Sequence, residues 1–282
     1  MWRRSWMCAP AFAAILLGCT STGHQDVPVS ASAGPCDGTG GIRMAIAVSG
    51  QVGRALSYSA VQLELGYQYI YVDGTCRYWV SPTWSGGSLA VWGAIHEGVL
   101  TSEEASQIGN SIRYGDTGAF STQCPSSTSV HDSPPIYLYN GEQVEVCWPD
   151  AELIQSALLQ WNKLFPSLYS RGTPVDGALR IEVGISSVLP TWVPTYSWPI
   201  ESSIEDFVVD PQFANAVGVS FKIEDAASVA ALLSLRSQFI KDCESLNTAG
   251  RGIPLAGGYS LFMREELPFT DVHGLFAPVQ PQ

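Results

Sequence analysis

The chain has 282 residues, with 14 Lys and Arg against 26 Asp and Glu, a formal net charge of −12. Phosphate backbones demand a basic footprint that so acidic a chain lacks, so neither nucleic acid nor anionic lipid headgroups are expected partners. Charged residues make up only 14% of the chain, well below the usual quarter or so, while Gly, Ser, Thr and aromatics are plentiful; that balance suits an exported protein better than a cytosolic enzyme.

The chain opens MWRRSWMCAPAFAAILLGCTSTGHQ. Arg3 and Arg4 make a positive start, and Ala9 to Leu17 is uncharged and interrupted only by Pro10. A membrane-crossing helix needs roughly 20 apolar residues. This run is about half that length and reads as the apolar segment of a secretory signal. It ends directly on Gly18 and Cys19. Leu16-Leu17-Gly18-Cys19 resembles the lipobox of bacterial lipoproteins. The resemblance implies cleavage before Cys19, so that residues 1–18 are a signal peptide. It also implies a thioether-linked diacylglyceryl group and an acylated amine on Cys19, and hence a membrane partner reached through a lipid anchor. Thr20, where an aspartate would signal inner-membrane retention, implies the outer membrane. Residues 19–41 are rich in Ser, Thr, Gly and Pro with almost no apolar periodicity. Such a segment buries too little surface to offset its ordering entropy, so a flexible tether is expected there.

The remaining residues, 42–282, are expected to form one globular body. Ile42 to Ser49 is a strand. Tyr67 to Val72 and Thr75 to Val80 flank Asp73-Gly74, a tight-hairpin signal, and Tyr67, Tyr69 and Tyr71 share a face by period two. Thr101 stands three residues before Glu104, a capping-box arrangement. It predicts a helix to about Tyr114 with Ala105, Ile108 and Ile112 on its apolar stripe. Residues 115–135 form a long loop or a seam between two halves. Ile136 to Tyr139 and Glu142 to Cys147 surround Asn140-Gly141, a second hairpin. Pro149 opens a helix predicted to run through Phe165, with Leu153, Ala157, Leu158, Trp161 and Leu164 inward and Pro166 as its stop. Ala178 to Ile185 and Ala216 to Ile223 are strands. Asp225 caps a helix reaching about Leu246, with Val229, Leu232, Leu233, Leu235 and Phe239 on its apolar face. Gly257 to Met263 is the last strand. Hairpins alternating with helices predict an α+β fold with mainly antiparallel sheet.

After Cys19 the body carries Cys36, Cys76, Cys124, Cys147 and Cys243. Exported cysteines usually pair, and five is odd, so two disulfides and one thiol are expected. Cys124 with Cys147 would staple the long loop to the second hairpin and is the preferred pair. Cys36 with Cys76, pinning the end of the tether to the first hairpin, is the next. No C-x-x-C, H-E-x-x-H, G-x-S-x-G, G-x-G-x-x-G or Walker-type loop occurs, so no metal, cofactor or catalytic residue is nominated. His24, His96, His131 and His273 read as surface or structural residues. Glu103-Glu104 suits a helix's first turn, and Glu205-Asp206 and Glu265-Glu266 read as solvated charge. The Pro-aromatic stretch PTWVPTYSWP (190–199) cannot be helix or central strand. It presents Trp192, Tyr196 and Trp198 either as a binding platform or as a lid folded onto the core, and the lid is the favoured reading. The function expected is a non-catalytic binding or structural module at the cell envelope with a protein or glycan partner, the alternative being an envelope hydrolase acting on glycan or peptide.

Metabolic labelling with a fatty-acid analogue is expected to tag the wild-type chain and to leave Cys19→Ser untagged. Equal labelling of the variant would overturn the lipobox reading.

Overall fold

In a computed structural model of the chain, the described residues are 35–49, 67–82, 93–112, 114, 136–139, 143–145, 162–185, 194–208, 220–245 and 252–269. They build an α+β fold with two antiparallel sheets. The first sheet is formed by β1 (Ile42–Ser49), β2 (Tyr67–Asp73), β3 (Arg77–Val80), β4 (His96–Val99), β5 (Ile136–Tyr139), β6 (Gln143–Glu145) and β7 (Thr173–Pro174), in the order β6-β5-β1-β2-β3-β4-β7. The second contains β8 (Leu179–Ile185), β9 (Phe221–Ile223), β10 (Ile253–Leu255) and β11 (Tyr259–Glu265), in the order β10-β11-β8-β9. Helix α1 (Ser102–Ser111) and α2 (residues 162–171) serve the first sheet, and α3 (Ala226–Ser245) serves the second. Residues 115–135 lie outside the described residues; β1 from before them and β5 from after them are hydrogen-bonded neighbours.

β1 is apolar on both faces because both faces of its sheet are covered. Met44, Ile46, Ile70, Val72, Tyr78 and Val80 pack against Ala105, Ile108 and Ile112 of the α1 region and Phe165 and Leu168 of α2. On the reverse, Ala45 and Ala47 stand opposite Tyr71 and Tyr69, so small residues make room for large ones. Tyr71 and Trp79 there close on Phe269 at 5.4 and 4.9 Å between ring centroids. The capping box forms as expected: Glu104 N–H donates to Thr101 Oγ1 at 3.2 Å and Thr101 N–H to Glu104 Oε2 at 2.8 Å.

Three local expectations are corrected. The first hairpin does not turn on Asp73-Gly74 with β3 starting at Thr75. Asp73 Oδ1 gathers three donors, from Thr75 N–H and hydroxyl and from Arg77 N–H, and Cys76 takes a left-handed φ of 68°. The result is a three-residue loop of the type that normally places Gly at that position. Gly74 is required in it because a Cβ would overlap the Thr39 carbonyl and the Asp37 carboxylate. Secondly, Pro166 does not stop α2, which continues to residue 171. Pro166 is exposed, and Leu168 beyond it is fully buried, with its carbonyl accepting from Tyr78 OH at 2.9 Å and from Gly172 N–H. Tertiary burial outweighs the one hydrogen bond that proline removes. Finally, the strand expected from Gly257 is preceded by an unexpected partner, β10, with Pro254 within it; Ala256 to Gly258 make the turn and β11 begins at Tyr259.

The second sheet packs Leu179, Ile181, Val183, Leu261 and Met263 against Leu232, Leu235, Phe239 and Cys243 of α3. Asp225 caps that helix, accepting from Ser228 N–H at 2.8 Å. Cys243 is a buried thiol.

Cys36 is joined to Cys76, the second of the two pairings considered. Cys124 and Cys147, the preferred pair, lie outside the described residues. The bond closes a loop of 40 residues, for which the chain-entropy model gives roughly 4 kcal/mol. The Cys36→Ser/Cys76→Ser variant is therefore expected to lose about 3–4 kcal/mol of stability in urea unfolding. A loss below about 1 kcal/mol would mean the 35–41 strap is held by its hydrogen bonds to Gly74 rather than by the disulfide.

Candidate functional site

The two sheets meet where the chain passes from β7 directly through residues 175–178 into β8. The seam is fixed by a buried ion pair. Arg236 of α3 donates from Nη2 to Glu265 Oε1 at 2.7 Å, and both side chains are less than a tenth exposed. Glu265 Oε2 accepts from Ile95 N–H at 3.3 Å, on the approach to β4. The neighbouring backbone is held in the same way: Arg264 Nη1 donates to Gly93 O at 3.1 Å, Tyr169 OH to Ala94 O at 3.1 Å and Val175 N–H to Ile95 O at 2.8 Å. Burial, and then the negative charge of Glu265, push the Tyr169 phenol above its ordinary value. Glu265-Glu266 is thus not the solvated pair expected. Glu265 is paired and buried, and Glu266 Oε2 lies 3.1 Å from Arg180 Nε.

Directly beyond this pair lies an open cleft of about 380 Å³. Its polar lining comes from Arg77 of β3, Glu97 of β4, Asp176 of the connection, Lys222 of β9 and Glu266; its apolar lining is Val175, Ala178, Leu267 and Pro268. Strand pairing places the polar groups. Trp79 and Glu97 are cross-strand partners, and Glu97 Oε2 accepts from Trp79 Nε1 at 3.0 Å and from Arg77 Nη2 at 2.9 Å. The Arg77 guanidinium also covers the Trp79 ring at 5.2 Å. On the other wall Lys222 pairs in register with Arg180, which pairs with Arg264, so three cations cross β9, β8 and β11 in a row. Like charges directly opposite repel, and carboxylates offset them: Glu224 meets Lys222 at 2.6 Å and Glu266 meets Arg180. The contact with Glu224 holds the Lys222 ammonium above its ordinary pKa.

The residues singled out from sequence are not brought together. Cys19, Cys124, Cys147, His24, His131, His273 and Trp192 lie outside the described residues. His96 and Glu97 point to opposite faces of β4. The imidazole stacks on Tyr169 at 4.1 Å and donates from Nδ1 to the Tyr169 carbonyl at 2.7 Å, a structural role on the helix side. Glu104 meets Arg171 at 2.7 Å; partial burial opposes its ionisation, but the guanidinium and the Thr101 donors hold its carboxyl below the usual range. Glu205 lies in a single 3₁₀ turn at Ile204–Phe207. Tyr196 is a core lid: it bridges Leu255 on the edge of β10, and its hydroxyl donates to Asp242 Oδ2 at 2.7 Å. Burial, and then this bond, push its phenol far above the ordinary value. Trp198 is half-buried against Phe207 and donates to Ser202 O. Among the described residues no three His, Cys, Asp or Glu side chains converge as a metal site. The cleft residues carried no sequence signal, since five elements far apart in the chain supply them. No protein family, curated protein or solved structure matches this chain.

Arg236 Nη1 and Arg264 Nε are buried without an acceptor, so desolvation is incompletely offset at the seam. Glu265→Ala, which strands Arg236, is expected to cost about 3–5 kcal/mol, whereas Arg236→Met/Glu265→Leu should recover most of it. Equal losses in the two variants, measured by denaturant unfolding, would show that the seam depends on the Ile95 bond rather than on the charge pair.

Proposed function

We propose that this chain is a lipid-anchored protein of the bacterial cell envelope, attached to the outer membrane through Cys19, and that its body is a non-catalytic docking module that receives a polar partner in the seam cleft. The cleft carries the reading. Its volume falls within the range of about 300–1,000 Å³ typical of ligand sites, and its walls belong to two sheets locked together by buried charge. Most of its charged groups are spent on one another, Glu97 on Arg77 and Trp79, Glu266 on Arg180 and Lys222 on Glu224, while Asp176 accepts from the Gly177 N–H. Groups committed in this way fix the shape and potential of a surface, which is what recognition needs. A general acid or base must instead aim a mobile proton at an open position. The anchor rests on the Leu16–Cys19 signal and is tested separately by the labelling of Cys19→Ser.

A photo-crosslinking amino acid placed in living cells at Pro268, an exposed residue of the cleft lining, is expected to give a discrete adduct. The same group at Ser106, exposed on α1, should not. No adduct from Pro268, or the same adduct from both positions, would remove the cleft as the docking surface.

A further inference from the structure

The Cys36–Cys76 bond joins two points between which the chain runs out along β1 and back along β2. Those strands are hydrogen-bonded neighbours in the middle of the first sheet, and Met44 to Ala47 and Tyr69 to Val72 are buried within it. A pull applied to the chain ahead of residue 36 has two routes into the body. One runs through the strap and enters β1 at Ile42. The other crosses the two sulfurs to Cys76 and leaves residues 37–75 out of the load path. Resting on the reading of this chain as anchored through Cys19 and docking in its cleft, we propose that the Cys36–Cys76 disulfide is a load-bearing link. Tension between the membrane anchor and a docked partner crosses it and bypasses β1 and β2.

The strap is a poor route for force. Residues 37–41 are exposed, and they meet the body through Gly38 N–H to Gly74 O at 2.6 Å, Gly74 N–H to Gly41 O at 3.2 Å and the Asp37–Arg43 pair at 3.2 Å. Exposed bonds of this kind are individually weak, and loaded from one end they yield one after another. Cys76 is tied down on both sides. Its N–H donates to Asp73 O at 3.1 Å, and its carbonyl accepts from Leu100 N–H at 2.9 Å. Asp73 Oδ1 in turn holds Thr75 and Arg77 within the same loop. Arg77 opens β3 and lines the cleft, where it meets Glu97 of β4. Load carried over the sulfurs therefore arrives one residue from the cleft wall, where a docked partner would pull back. A disulfide that only restricts the unfolded chain stabilises the fold however the molecule is held. A load-bearing link matters only when the pull enters ahead of Cys36.

The test is optical-trap stretching of the full chain in neutral detergent, with one handle at Gln282 and the other at Gln25 or at Ser106, exposed on α1. Forced unfolding follows the barrier along the loaded path, so Cys36→Ser/Cys76→Ser is expected to lower the unfolding force by about half or more when pulled from Gln25. Pulled from Ser106, which leaves the bond off the path, the same variant should change it by less than about a quarter. Should the serine variant fail to fold, Cys36→Ser/Cys76→Gly replaces it, because glycine takes the positive φ at position 76 without strain. Equal fractional falls from the two handles would overturn the load-bearing role and leave only an effect on the unfolded chain. No fall from Gln25 would overturn it too, since the strap would then carry the load unaided. The anchor and the docking cleft stand or fall apart from this result, by the Cys19→Ser labelling and the Pro268 crosslink.

Discussion

A carboxylate taken out of water must find its compensation inside the protein, and Glu265 has two partners, one on either side of the seam. Arg236 reaches it from the last helix, and the Ile95 backbone reaches it from the entry to β4. Breaking such an arrangement leaves an uncompensated buried charge, so the three elements can be separated only at large cost. The second sheet is thereby tied to the first, and the backbone from Gly93 to Ile95 is placed residue by residue through Arg264, Tyr169 and Glu265. Because Glu265 is the last residue of β11, the chain that leaves it has its course set as well. Glu266 turns to Arg180, Leu267 and Phe269 pass under the first sheet, and the cleft opens between them and β9.

The first sheet supplies the other wall by a different route. Its central strands are buried on both faces, which makes their register unambiguous: a slip by one residue would exchange Ala45 and Ala47 for Met44 and Ile46 beneath the large aromatics. Tyr78 uses that register to reach across Gly98 to the Leu168 carbonyl, where a side chain at 98 would overlap its ring. On the opposite face the same strand sets Arg77 and Trp79 against Glu97. The polar wall of the cleft therefore follows from the packing of the core behind it. The Cys36–Cys76 bond closes the system at the N-terminal side, fastening the 35–41 strap to the loop between β2 and β3.

Most charges of the cleft are paired within its own walls, Glu97 with Arg77, Glu266 with Arg180 and Lys222 with Glu224. Pairs of this kind fix the shape and the potential of the surface they line. The cleft lining is drawn from five chain segments, in which no single residue type is unusual.

Where local chemistry and tertiary context agree, the sequence was sufficient. Thr101 and Glu104 satisfy each other within one turn, Asp225 caps α3 within three residues, and the apolar positions of β1, β8, α1 and α3 follow their periods, so these elements and the antiparallel α+β class could be read directly. Other features belong to the tertiary structure. Pro166 forbids a helix only if nothing nearby compensates, and Leu168 is buried deeply enough to do so. Pro254 argues against a strand, yet β10 lies at the edge of its sheet with Tyr196 docked on it. Glu265 and Glu266 look alike in sequence, but one is buried against Arg236 and the other turned to Arg180. The cleft had no local signature because its residues lie between positions 77 and 268 and become neighbours only when the two sheets come together. Short-range hydrogen bonds and periodicity are written into consecutive residues, whereas desolvation depends on which distant groups end up around a charge, and the fold decides that.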